Sequence, residues 1–156
     1  MIGKRAMKKL YSDLDNDYFL LEFRISAHSP MVIRGIKESV EDKATYNIDV
    51  FFKPVRKMLL PTKFEGLEVY VLDSSEVPEN LVFEHGFSNE KGGHVFLLST
   101  RNGKKYYVDA AIMAVYYNRL DVYETQYEMF EYNLGDRVLT FKEGVLEEYL
   151  DRVLDI

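Results

Sequence analysis

Three histidines, His28, His85 and His94, are the side chains of this 156-residue sequence best suited to proton transfer or metal ligation. His85 follows Glu84, and His94 follows Glu90 by four residues, so the central stretch holds two imidazoles and two carboxylates. Two His and a carboxylate bind a divalent metal when one element projects them together. These intervals match no metal motif, and ordinary loop histidines are the simpler reading. His94 with Ser88 or Ser99 pairs a base with a hydroxyl, but no Gly-x-Ser-x-Gly turn presents either serine. Gly86, Gly92 and Gly93 precede neither a helix nor a Lys-Ser/Thr pair, so they read as turns and not as a phosphate loop. No cysteine is present, which excludes thiolate nucleophiles, thiolate metal sites and disulfides. The sequence assigns no catalytic residue, no metal site and no cofactor. A small hydrolase or metal enzyme using His85 and His94 is the third reading, behind two binding functions.

Charge is more informative. Formal net charge is -6, and residues 121–156 hold ten acids against three bases, which accounts for the whole imbalance. Tyr123 and Tyr127 are interleaved with Asp121, Glu124, Glu128 and Glu131. The flanking aromatics Tyr116, Tyr117, Phe130 and Tyr132 extend the pattern. Acids steer a basic partner and tyrosines anchor it. The expected partner-binding surface is therefore Asp121, Tyr123, Glu124, Tyr127, Glu128 and Glu131, with Glu147, Glu148, Asp151 and Asp155 beside them. A solvated charged face is the plain alternative. Basic clusters occur at Lys4, Arg5, Lys8 and Lys9 and at Arg101, Lys104 and Lys105. Against a negative total they do not point to direct nucleic-acid binding.

These residues need elements to position them. Twelve Tyr and ten Phe without Trp favour strands. Tyr18–Ile25, Met31–Ile36, Tyr46–Phe52, Val55–Leu60 and Leu67–Leu72 read as strands, with Pro54 interrupting and Gly66 preceding the last. Residues 73–92 are polar and read as a long loop. Val95–Thr100 and Lys105–Val108 flank Asn102-Gly103, which predicts a type I′ hairpin. Ala110–Tyr117 fits either a strand or a helix capped by Asp109, and the flanking Tyr pairs favour strand. Leu120–Tyr127 and Arg137–Phe141 look extended. At the C-terminus, Thr140-Phe141-Lys142-Glu143 matches a capping box. Val145, Leu146, Tyr149, Leu150, Val153 and Leu154 then recur as one apolar stripe, which predicts a terminal helix with Glu147, Glu148, Asp151 and Asp155 outward.

The expected fold is α+β, a mainly antiparallel sheet or sandwich with that amphipathic helix packed on it. Length and the lack of linkers predict one domain over residues 1–156, with 1–6 as a flexible leader. The basic start lacks an apolar h-region, because Tyr11-Ser12-Asp13-Leu14-Asp15 follows, and no apolar run spans a bilayer. A cytoplasmic protein that does not contact membrane is expected.

Residues 47–71 carry Asp49-Val50-Phe51-Phe52, Val55, Leu59-Leu60-Pro61, Phe64, Gly66-Leu67 and Val69-Tyr70-Val71. This pattern resembles a recurrent strand–strand unit of small bacterial immunity proteins, the cytoplasmic antidotes of polymorphic or contact-dependent toxins. The resemblance implies a β-rich, acidic, non-enzymatic inhibitor that blocks a toxin domain, often a basic nuclease. A self-associating sheet-based interaction or structural module is the runner-up.

Overall fold

The computed structural model describes residues 7–25, 29–41, 43–88, 92–119 and 136–149. Among them the chain is mainly antiparallel β, with eight strands: β1 (Lys8–Phe23), β2 (Met31–Glu38), β3 (Thr45–Leu59), β4 (Lys63–Leu72), β5 (His94–Ser99), β6 (Lys105–Asn118), β7 (Asp136–Lys142) and β8 (Val145–Glu148). They run in the order β3-β2-β1-β4-β5-β6-β7-β8, and β3 also pairs with β6. That extra ladder brings the first six strands back on themselves as an antiparallel barrel. β6 makes the closure possible by its length. One edge pairs along β3 from Asn118 to Tyr107, while the other serves β5 at Lys105–Ala110 and β7 at Ile112–Tyr117.

The inward positions form the main core, including Ile33, Val50, Phe52, Phe64, Leu67, Phe96, Leu98, Val108, Met113 and Val115. Aromatic edges meet faces there: Phe52 and Phe96 lie 5.3 Å apart, and Phe64 and Tyr106 5.7 Å apart. Ala110–Tyr117 is strand, as its flanking tyrosines suggested. Pro54 does not interrupt β3. Beyond Phe52 the β2 ladder has ended, so the missing N–H of Pro54 falls where β3 pairs with β6 alone.

Three further expectations are corrected. The terminal helix begins instead as β8: Glu143 (φ 52°) and Gly144 (φ 78°) form a two-residue turn, and Lys142 pairs with Val145. Positive φ at both central positions makes a hairpin of the right twist, and it lets β7 bury Val138, Leu139 and Phe141. That burial outweighs the capping box at Thr140–Glu143. Val145 is exposed while Leu146 packs on the core, the alternation of a strand and not a stripe. Leu150, Val153 and Leu154 lie outside the described residues, as do residues 1–6 and Leu120–Tyr127.

The polar stretch after Leu72 is not all loop. A 3₁₀ turn at Ser74–Glu76 leads to α1 (Glu79–His85). Gly86 in the left-handed region (φ 72°) ends α1. The Gly86 and Phe87 amides return to the Val82 and Leu81 carbonyls. Leu81 and Phe87 pack with Leu72, Val77, Val95 and Leu97 on the outer face of the barrel.

The β5–β6 hairpin is present but is not type I′. Only Gly103 has positive φ (82°), and the Gly103 amide bonds Thr100 O at 3.0 Å. This is the wider three-residue loop with glycine in the left-handed position.

Candidate functional site

Two places in the described structure combine chemistry with exposure: the β8 edge and one end of the barrel.

β8 ends the strand order, so its outer edge has no strand partner among the described residues. The two-residue turn and the Tyr149 amide bond to Val138 O (2.8 Å) fix which groups face β7. Val145, Glu147 and Tyr149 point their backbone groups inward, and Leu146 and Glu148 point theirs outward. Glu143, Glu147 and Glu148 are exposed. Glu147 lines a shallow groove of about 210 Å³ with Lys53, Arg137, Lys142 and Tyr149. The Arg137 guanidinium lies 4.9 Å over the Tyr149 ring. Burial lowers the Lys53 pKa. The groove face is thus mixed in charge, while Glu148 lies on the opposite face of the strand.

Of the expected partner-binding set, Glu147 and Glu148 are described, on a strand and not on a helix. Asp121, Tyr123, Glu124, Tyr127, Glu128, Glu131, Asp151 and Asp155 lie outside the described residues. Tyr116 is buried against Phe51, with ring centroids 6.5 Å apart. Tyr117 faces the barrel interior beside Tyr46.

His94 and Ser99 do not converge. His94 starts β5 between the rings of Phe96 and Phe141, with Nδ1 3.2 Å from Ala111 O. Ser99, five residues along the same strand, is roughly 16 Å away. His85 is exposed at the end of α1, and His28 and Glu90 are outside the described residues. Asp109 caps no helix. It is buried on β6, where it accepts Arg56 Nη2 at 2.6 Å and the Ser88 amide at 3.2 Å, tying down the segment after α1. Among the described residues no group of three His, Cys, Asp or Glu is placed to hold a metal, and no helix is long and apolar enough to cross a membrane.

The second place was not singled out from the sequence. Tyr11, Tyr18, Tyr46 and Tyr117 gather at the end of the barrel where β3 begins and β6 ends. The Tyr11 and Tyr18 hydroxyls are 2.6 Å apart, and Tyr18 donates to Asp13 Oδ2 at 2.6 Å. Asn16 donates to the same carboxylate at 3.0 Å. The Tyr46 and Tyr117 rings lie 5.3 Å apart. Desolvation raises all four phenol pKa values, Tyr46 to about 12, and the Asp13 charge adds to the rise in each.

Backbone irregularities build this end. β1 advances from Asp13 to Asp17 while β4 advances from Leu67 to Glu65, which leaves a bulge. Opposite it, Gly66 (φ 78°) has no room for a side chain, since a Cβ would sit 2.9 Å from Leu14 O. Arg101 holds the bulge from the β5–β6 hairpin, with Nε 2.8 Å from Leu14 O. Gly35 leaves the space the Tyr18 ring fills, since a Cβ there would approach the ring to 2.7 Å. The available signal was a Tyr-x-Asp alternation in a strand, Tyr11 to Asp13. A carboxylate on the apolar side of such a pattern needs a partner.

No family model, curated protein or solved structure matches the chain.

Proposed function

We propose that the protein is a non-enzymatic binding protein, and most concretely a cytoplasmic immunity protein that neutralises a basic toxin domain. The observation that carries the reading is the outer edge of β8, which has no strand partner among the described residues. It offers the Leu146 and Glu148 backbone groups to an incoming strand, and exposed Glu143, Glu147 and Glu148 flank it. Strand addition supplies affinity through the main chain, and carboxylates select a basic partner. The acidic sequence on either side of the β7–β8 hairpin, with Tyr123 and Tyr127 as anchors, would extend the surface. The immunity reading adds the resemblance at residues 47–71, which fall on β3 and β4, consecutive strands that do not pair with each other.

Self-association through the same edge is the competing function. An antiparallel β8–β8 pair would bring Glu147 and Glu148 of two copies close together, and opposed like charges disfavour it. The test is co-expression with the product of the adjacent gene, followed by co-purification of the pair. Recovery of a stoichiometric heterocomplex supports an immunity function. Recovery of a homodimer alone supports the structural module.

A further inference from the structure

We propose that the end of the barrel at which β3 begins and β6 ends binds a methylated ammonium cation. The rings of Tyr11, Tyr18, Tyr46 and Tyr117 supply its walls and the Asp13 carboxylate its counter-ion. This site is separate from β8, since none of the five residues lies on β7 or β8.

Three observations converge on a cation. First, Asp13 is half-buried and pairs with no cation among the described residues. Its only hydrogen-bond partners are neutral, Tyr18 and Asn16. A carboxylate withdrawn from water gains most from an opposite charge brought to it. Second, Tyr18 and Tyr11, hydrogen-bonded to it in series, and the tilted Tyr46–Tyr117 pair bring four aromatic rings from three strands to this end of the barrel. Ring faces attract cations through their quadrupole, and a cage of them is the recurrent receptor for quaternary ammonium groups. Third, the Tyr46 hydroxyl has no hydrogen-bond partner among the described residues, although the residue is only 2% exposed. A buried hydroxyl left without a partner is uncommon in a site serving packing alone.

The composition of the site also says which cation. A metal ion takes several oxygen or nitrogen ligands, and among the described residues no group of three His, Cys, Asp or Glu is placed to supply them. A weakly hydrated organic cation needs only one charge and apolar walls. Tyr11, Asp13 and Tyr117 are each partly exposed, which leaves the site a route to solvent. Arg119, whose charge acts on Tyr46, donates from Nη1 to Thr45 O at 3.3 Å.

The chain has no Trp, so its intrinsic emission reports on tyrosine. The probe is choline, and the control is 3,3-dimethyl-1-butanol, which has the same shape without the charge. Titration of the full chain should give saturable quenching with choline and binding at least about tenfold weaker with the alcohol. Asp13→Asn keeps an acceptor for Tyr18 and should weaken choline about tenfold, with the thermal midpoint and alcohol binding little changed. Tyr46→Phe retains the ring and should retain choline, whereas Tyr46→Leu should lose it. Absence of saturable choline binding overturns the proposal. So does equal binding of the alcohol, or indifference of choline to Asp13→Asn in a variant that folds. None of these results bears on β8.

Discussion

The Tyr18 hydroxyl meets Asp13 Oδ2 at 2.6 Å although the two residues are five apart on one strand. In a regular strand, residues an odd number apart point to opposite faces. The bulge between Asp13 and Asp17 cancels that alternation and turns both side chains to the barrel interior. The hydrogen bond is therefore a product of the bulge, and the bulge depends on Gly66 opposite it.

Gly66→Ala should for this reason destabilise the protein by about 1–3 kcal/mol, from a strained positive φ and a Cβ pressed on Leu14 O. Urea denaturation measures it. Gly103→Ala is the control. Its φ is also positive, but its Cβ would meet nothing within 4 Å, so it should cost less.

Alkaline pH should unfold the protein through its tyrosines. Burial holds the folded Tyr46 pKa near 12 against the ordinary 10.0. A raised folded pKa gives stability that is complete below the unfolded value and lost as pH rises through the folded one. Stability should accordingly fall between pH 10 and 12, and Tyr46→Phe should make the fall shallower. Tyrosinate absorbance followed beside circular dichroism measures both.

On the outer face of β2 and β3, Arg34 grips Asp49 with Nε–Oδ1 at 2.6 Å and Nη2–Oδ2 at 2.7 Å, both side chains fully buried. Asn118 donates to the same carboxylate at 2.7 Å. Asp49→Ala removes the counter-ion of a buried guanidinium and should cost about 3–5 kcal/mol. The double variant Arg34→Met, Asp49→Leu should recover much of that loss in the same denaturation assay, because it removes both desolvated charges.

The β7–β8 ladder yields a paired prediction. The Glu147 amide faces β7 and the Glu148 amide faces out, so Glu147→Pro should destabilise and Glu148→Pro should leave the thermal midpoint nearly unchanged. Calorimetry distinguishes the two.

Strands were legible where alternation or a turn signal was strong: Tyr46–Phe52 and Leu67–Leu72 lie in strands, as do Val95–Ser99 and Lys105–Val108 on either side of their turn, while Ala110–Tyr117, open to either reading as text, continues β6. What failed is instructive. Thr140 and Glu143 satisfy a capping box as text, but Glu143-Gly144 also satisfies a two-residue turn, and the burial of Phe141 decided between them. α1 was hidden because it buries only Leu81 among its seven residues, too little for a periodic signal. Barrel closure rests on β3 pairing with β6, residues separated by about 50 to 70 positions, which no local pattern encodes. The tyrosine site was illegible for the same reason: its members come from β1, β3 and β6, and only the long-range ladders bring them together.

The most direct measurement is the association rate of the full chain with the product of its neighbouring gene as salt is raised. Screening acts over about 8 Å at physiological ionic strength, so a reaction steered by carboxylates slows as salt increases. The rate should fall steeply with salt, and the double reversal Glu147→Lys, Glu148→Lys should reduce it at low salt without shifting the thermal midpoint. Glu148→Pro should raise the dissociation rate by blocking strand addition. An association rate indifferent to both salt and charge reversal, or a neighbouring gene product that does not bind, would contradict the account.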